Sequence, residues 1–443
     1  MNRGDVFRYG DHELVDGRLR CTYEVGGRTF TETVEVAGAG PVTPTAEAAA
    51  TLVHLLAGVS YYKAFAPPVV DLGAMPVRAS TAAFLREVFI DGLGEFAYRN
   101  GIDLSGLEVV GGVVVDGPDR PVVASGGRPR PLVPFGGGMD SLVSVDLVTA
   151  TEADAALFVV EGRQRFAAIE HAAAATGLPV QRAVRTLDPQ ILRSAELGFL
   201  NGHVPVTGII GAIAVLSAAL TGRDTVVMSN EWSASMGNVV HHGRTVNHQY
   251  SKGAVFESAF RAELQQWVGA EVDWFSLLRP FSELWIARRF AERPEHLGAF
   301  HSCNRAFHVD PSARLDRWCG RCDKCAFIDL VLAPFVPATD LAAIFDGREP
   351  LADPTLLDVF ATLLDLGDGP KPFECVGDVD ECRTAVALAA RRPDRAGAPV
   401  LRALCDRLGP AAVERALADA DRLLRPLGPH RIPEPYASAA GLG

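Results

Sequence analysis

A chain of 443 residues, 48% hydrophobic and 22% charged, has ordinary globular composition with no room for extended disorder. Its net charge of −12, from 42 basic and 54 acidic residues, argues against a protein that coats nucleic acid. The length exceeds a single core, so three packed units are expected, over residues 1–125, 126–335 and 336–443.

The N-terminus, Met1-Asn-Arg-Gly-Asp-Val, lacks the apolar core of a secretion signal. The longest apolar run, near Gly208–Leu220, is too short to span a bilayer and is interrupted by Ser217. No membrane association is expected, and the expected location is the cytoplasm. Eight cysteines in such a chain point to reduced thiols and a metal site, not to disulfides. No oligomeric state follows from the composition.

In chain order, residues up to about Val36 read as antiparallel β. Asp16-Gly17 and Gly26-Gly27 are two-residue hairpin turns, and Leu19, Cys21, Tyr23 and Val25 alternate with polar residues between them. Helical patterns follow at Ala46–Leu56 and Ala82–Arg99, then a second β-like run at Leu107–Val115. Together these predict an N-terminal α+β unit.

From Pro131 the pattern changes to alternating strands and helices. Strands are predicted at Leu132–Phe135, Ala155–Val160, Val180–Val184 and Thr225–Ser229, with helices at Leu142–Thr149, Phe166–Thr176 and Val206–Leu220. The expected fold class is α/β, a doubly wound parallel sheet whose ligand sits at the C-terminal strand ends. After Leu332 the chain turns helical, with Val400, Leu401, Leu404 and Leu408 on one apolar face. The Pro/Ala/Gly-rich tail from Pro429 is expected to lie over the surface.

Between the first of these strands and its helix stands Phe135-Gly-Gly-Gly-Met-Asp-Ser141. Gly136, Gly137 and Gly138 let backbone N–H groups approach an anion, and the helix start adds its unpaired donors and positive dipole end. Ser141 can donate to a phosphate oxygen, and Asp140 can help to hold magnesium. No Gly-Lys-Ser/Thr follows, so this is not a Walker A loop. A plain glycine-rich turn is the simpler alternative, and the Asp-Ser pair with an immediate helix start favours nucleotide binding.

Farther on, Cys303, Cys319, Cys322 and Cys325 give the spacing C-x15-C-x2-C-x2-C. Four thiolates suit a closed structural zinc site, in which no position is left for a catalytic water. An iron–sulfur cluster and free buried thiols are the alternatives. Cys375 and Cys382 form a looser pair, and Cys21 and Cys405 read as core residues.

The glycine loop resembles the SGGxDS pyrophosphate loop of the adenine-nucleotide α-hydrolase group, which cleaves ATP to AMP and pyrophosphate. It departs from that pattern at Gly136, where serine is usual, and at Met139, often lysine. With the cysteine cluster, it also resembles 7-cyano-7-deazaguanine synthase, a much shorter enzyme. Further segments carry a closer likeness: Asn201-Gly-His-Val-Pro, Ser229-Asn-Glu-Trp-Ser-Ala, Val246-Asn-His-Gln-Tyr-Ser-Lys252, Ser302-Cys-Asn-Arg-Ala-Phe, Arg279-Pro-Phe-Ser-Glu-Leu and Lys371-Pro-Phe-Glu-Cys-Val-Gly377. Together, over nearly the whole chain, they resemble the UDP-N-acetylmuramoyl-L-alanyl-L-glutamate epimerase family.

That resemblance implies ATP- and magnesium-dependent inversion of the terminal L-glutamate of a UDP-linked muramoyl dipeptide, through an acyl-adenylate. It implies nucleotide binding at Gly136, Gly137, Gly138, Asp140 and Ser141. Asp140, Glu231, His248 and Lys252 are the candidate catalytic residues, with His241, His242 and Tyr250 in the same segment. Asn201, His203 and Arg279 are candidate substrate contacts, with Arg288 and Arg289 as further cations for the UDP pyrophosphate. The plainer reading of the histidine segment is a polar surface loop. Rival functions are another carboxylate-adenylating enzyme of this fold, a sulfur transferase using Cys375 and Cys382, and a non-catalytic ATP sensor.

Overall fold

Asp16-Gly17 and Gly26-Gly27 reverse the chain between β1 (Val6–Val15), β2 (Arg18–Val25) and β3 (Arg28–Val36). The structure, a computed structural model, describes residues 4–116, 128–162, 164–308, 311–367 and 372–442. Asp16, Gly17, Gly26 and Gly27 take φ of 48°, 76°, 59° and 70°, the left-handed angles that tight turns between twisted strands require. Along β2 the expected alternation holds, with Leu19, Cys21, Tyr23 and Val25 buried and Arg18, Arg20 and Glu24 exposed.

Seven further strands complete one ten-stranded sheet. They are β4 (Val69–Asp71), β5 (Glu108–Val110), β6 (Pro131–Pro134), β7 (Ala156–Glu161), β8 (Val180–Thr186), β9 (Thr225–Met228) and β10 (Asp273–Ser276). The order is β10-β9-β6-β7-β8-β3-β2-β1-β4-β5. All pairs from β10 to β8 are parallel, as the sequence predicts for this part of the α/β fold. β8 then pairs antiparallel with β3, so the N-terminal hairpins extend the same sheet. β10, with only Trp274 and Phe275 apolar in four residues, is a strand that periodicity does not reveal.

The parallel strands other than β8, in which only Ala183 is fully buried, are covered on both faces. Leu132 of β6 and Val226 of β9 join a core with helices Pro44–Ala57 and Val206–Thr221. Their neighbours Val133 and Val227 face the opposite core, built with helices Met139–Thr149, Glu283–Ala291 and Asp323–Leu332. This is the two-residue side-chain period of a strand read on two covered faces.

Two expectations change. The predicted helix Ala82–Arg99 is two helices, Thr81–Gly92 and Gly94–Asn100, meeting at Leu93. A Cβ on Gly92 would fall 2.9 Å from Pro205 Cγ, so the close approach of the chain there requires glycine. The tail does not lie over the surface, because Ile432, Tyr436, Ala437 and Ala440 are buried in the second core. Tyr436 packs on Phe275 of β10 at 5.4 Å between ring centroids, and this apolar burial outweighs the tail's loop-like composition.

Candidate active site

Among the parallel strands β6 is central, β7 and β8 follow on one side, and β9 and β10 lie on the other. The connections leaving β6 and β9 therefore diverge and open a crevice at their C-terminal ends. The glycine loop leaves β6 there. Gly137 takes φ 76°, and a Cβ on it would meet Ala172 Cβ at 3.2 Å. Gly138 is the N-cap of helix Met139–Thr149, and no side chain caps that end. Its first-turn N–H groups are thus available to an anion. Ser141 Oγ donates to the Gly138 carbonyl at 3.0 Å, and the His301 N–H donates to the Gly137 carbonyl at 2.8 Å, which fixes the loop.

Three carboxylates converge beneath this loop. Asp140 lies in the first turn of the helix, Glu231 just beyond β9, and Glu283 at the start of helix Glu283–Ala291. Asp140 Oδ1, Glu231 Oε2 and Glu283 Oε2 are all buried with no hydrogen-bond partner among the described residues. Burial, then the negative charge of Glu231, pushes the Asp140 carboxyl up to about 6, although Lys324 and Lys252 oppose this. Burial, then Asp140 and Glu231, pushes Glu283 well above the usual carboxylate range. Three buried acids with two lysines in their field leave hard oxygen donors and negative charge to spare, which fits a divalent cation.

On the far side of these acids lies a thiol. Lys252 Nζ is 3.5 Å from Cys375 Sγ, and Lys324 Nζ donates to the Cys375 carbonyl at 2.5 Å. The His248 ring also meets the thiol. Its Nδ1 is 2.5 Å from Glu95 Oε2, while Arg99 Nε donates to Glu95 Oε1 at 2.6 Å. The helix break at Leu93 thus delivers Glu95 and Arg99 to the site. Burial disfavours the Cys375 thiolate, but Lys252, His248 and Lys324 outweigh it and bring the thiol down to about 7. Burial works against the His248 cation too, yet the contacts with Cys375 and then Glu95 raise it to about 9. His203 packs on His248 with tilted rings at 4.3 Å between centroids, and burial with that neighbour lowers it to about 4.

Of the residues singled out in the sequence, Asp140, Glu231, Lys252, His248 and His203 thus come together around one site. Asn201 is exposed at its edge, where its Oδ1 accepts from Lys63 Nζ at 2.6 Å. Arg279 is buried, and its donors go to the protein: Nε to Glu257 at 2.7 Å, Nη1 to the Glu231 carbonyl at 2.6 Å, and Nη2 to the Lys252 carbonyl. Arg288 donates to the Leu424 carbonyl and Arg289 to Glu292. His241 meets the Ile102 carbonyl, with His242 edge-on beside it, and Tyr250 is buried.

Sequence reasoning missed Glu95, Lys324 and Glu283, and named Cys375 only as one of a pair. The signal for Cys375 was its place in Lys371-Pro-Phe-Glu-Cys-Val-Gly377, of which Lys371 lies outside the described residues. Phe373 packs under Arg99 at 5.0 Å, and the Pro372 carbonyl accepts from Asn238 Nδ2 at 2.8 Å, so the segment is held over the site. Cys382 is fully buried in the core of helix Val379–Ala389, which leaves a sulfur-transfer reading without an accessible second thiol.

Cys303, Cys319, Cys322 and Cys325 bring their sulfurs within 4.8 Å of one another, and Cys325 Sγ lies 3.6 Å from Cys319 and 3.5 Å from Cys322. Tetrahedral zinc with Zn–S of about 2.3 Å needs sulfurs about 3.8 Å apart. The arrangement is a four-cysteine metal site compatible with structural zinc. No described helix is long and apolar enough to cross a membrane.

Two family sequence models match the chain: the MurL N-terminal domain over residues 2–277 and the MurL C-terminal domain over residues 299–419. A protein of Xanthomonas oryzae named UDP-N-acetyl-α-D-muramoyl-L-alanyl-L-glutamate epimerase is 42% identical, over 92% of this chain and 90% of its own length. Proteins of the same name from Salinispora tropica and a Micromonospora species are 39% and 38% identical. They cover 100% and 99% of this chain, and 96% and 98% of their own lengths.

Proposed function

The chain belongs to the MurL family, and from that membership we propose that it inverts the terminal L-glutamate of UDP-N-acetylmuramoyl-L-alanyl-L-glutamate in peptidoglycan precursor synthesis. The inversion consumes ATP, activating the glutamate carboxylate as an acyl-adenylate with release of pyrophosphate, and ends when water frees AMP. Activation answers a charge problem. An α proton beside a free carboxylate resists removal, because the carbanion would form next to an existing negative charge. Adenylation removes that charge and turns the carbonyl into an electron sink.

The observation that carries this reading is the pairing of an uncapped helix N-terminus with the unpartnered carboxylate oxygens of Asp140 and Glu231 at the sheet's crevice. In this reading the adenine-nucleotide α-hydrolase likeness extends to the fold, and the loop from Gly136 to Ser141 binds the ATP phosphates. Asp140 and Glu231 hold magnesium, which when bound offsets phosphate charge. Lys252 and Lys324 supply the remaining positive charge, and zinc in the four-cysteine site is structural. The N-terminal part of the chain lines the substrate side through Glu95 and Arg99, with Asn201 and His203 at the same rim. Arg279 acts on the backbone around the site.

The test is chiral analysis of glutamate after incubation of the protein with ATP, magnesium and the UDP-linked dipeptide. D-glutamate that appears only with ATP, with stoichiometric AMP, is the expected result. Glutamate that stays L in a metal-replete preparation, or that inverts without ATP, overturns the reading.

A further inference from the structure

Resting on the proposed epimerisation, we infer that Cys375 is the base that takes the α proton from the activated glutamate. The four metal-site cysteines are committed to one another, Cys21 and Cys382 are buried in the cores, and Cys405 lies on the outlying helix Pro399–Leu408. Among the eight cysteines, Cys375 alone sits against a lysine and a histidine from elsewhere in the chain. Lys252 lies in the field of Cys375 and of Glu231 and Asp140 at once. A single lysine therefore links the thiol to the acids beside the nucleotide loop.

The charged groups facing the sulfur are Lys252, His248 and Lys324, with Glu95 behind His248. Three cations around one sulfur hold it as a thiolate near neutral pH, and a thiolate is the form that can accept a proton. A weakly hydrated sulfur anion suits a carbon acid whose proton leaves from an apolar, acylated centre. The step balances without a redox partner. A sulfur lone pair forms the S–H bond as the Cα–H bond breaks, and that bond's electrons move into the acyl group as an enolate. On the opposite face a solvent-derived proton adds to Cα as the enolate collapses, and the thiol returns its proton to water.

Cys375→Ser and Cys375→Ala, assayed in D2O with ATP, magnesium and the UDP-linked dipeptide, separate this role from the activation step. Exchange of labelled pyrophosphate into ATP reads adenylation, and deuterium at the glutamate α carbon reads proton abstraction. Both variants are expected to keep the exchange and to lose deuterium incorporation and inversion by about 100-fold or more. Variants that invert within a few-fold of the parent, or that lose exchange and inversion together, overturn the role. A parent that exchanges no pyrophosphate overturns the ATP reading itself and the Cys375 role with it. A second measurement needs no Cys375 variant. Iodoacetamide should inactivate the parent in step with alkylation of Cys375, with a rate midpoint near pH 7 that Lys252→Met moves upward. Full activity after complete alkylation of Cys375, or an unmoved midpoint, overturns the proposal.

Discussion

Arg279 Nη1 donates to the backbone carbonyl of Glu231 at 2.6 Å, so a side chain from beyond β10 fixes the turn that leaves β9. The same guanidinium holds the Lys252 carbonyl and pairs with Glu257 at 2.7 Å, both partners being buried. It ties the Glu231 and Lys252 segments to the helix that carries Glu257.

Arg279→Met should therefore act first on stability. Removing one partner of a buried ion pair costs about 3–5 kcal/mol. Thermal melting should fall by several degrees, and AMP formation should drop with it. A variant that melts with the parent but shows only a raised KM for the UDP-linked substrate would instead make Arg279 a substrate contact.

Asp140→Asn and Glu231→Gln test the cation site. Each amide keeps the shape of the carboxyl but loses the charge that a magnesium ion needs. Each should lower pyrophosphate exchange by about 10²-fold or more. Asp140→Asn should also leave melting unchanged or raised, because it removes a buried charge that Glu231 repels. Undiminished exchange in both variants would remove these acids from nucleotide activation.

The four-cysteine site makes metal part of the fold. Strong chelation, or Cys322→Ser, should lower the melting temperature sharply, because binding energy at a closed site is folding energy. Metal analysis should find one zinc per chain and no visible absorption band. A band in the visible with iron present would identify an iron–sulfur cluster, and chelation without effect would remove the structural role.

The contacts of His248 with Cys375 and then Glu95 tie stability to pH. His248 has a folded value near 9 against an ordinary value of 6.5, so its contribution is complete below about 6.5 and is lost as pH rises through 9. A shift of that size is on the order of 3 kcal/mol. Cys375, brought from 9.0 down to about 7, gains stability over pH 7 to 9 and offsets that loss, so the parent profile should be nearly level there. In a Cys375→Ser background the loss carried by His248 should appear, and adding Glu95→Gln should flatten it. Equal slopes in Cys375→Ser with and without Glu95→Gln would mean that Glu95 does not hold the charge on His248.

The sequence by itself determined what local chemistry determines. Gly17, Gly26 and Gly27 must stand where backbone angles turn left-handed, and the spacing of Cys319, Cys322 and Cys325 suits one tetrahedral ion. The apolar runs of β6 to β9 and the loop from Gly136 to Ser141 were legible for the same reason, since strand period and helix start are properties of neighbouring residues. β10 was not legible, because four residues carry too little pattern. Nor was the continuity of the sheet, which rests on β8 pairing with β3 far earlier in the chain. Tertiary structure alone decided the surroundings of the thiol and the imidazole. Cys375 meets Lys252 across 123 residues, and His248 meets Glu95 across 153, so neither the thiol's neighbours nor its acidity is written in any one segment. Charge and burial act through space, and only the folded chain brings their sources together.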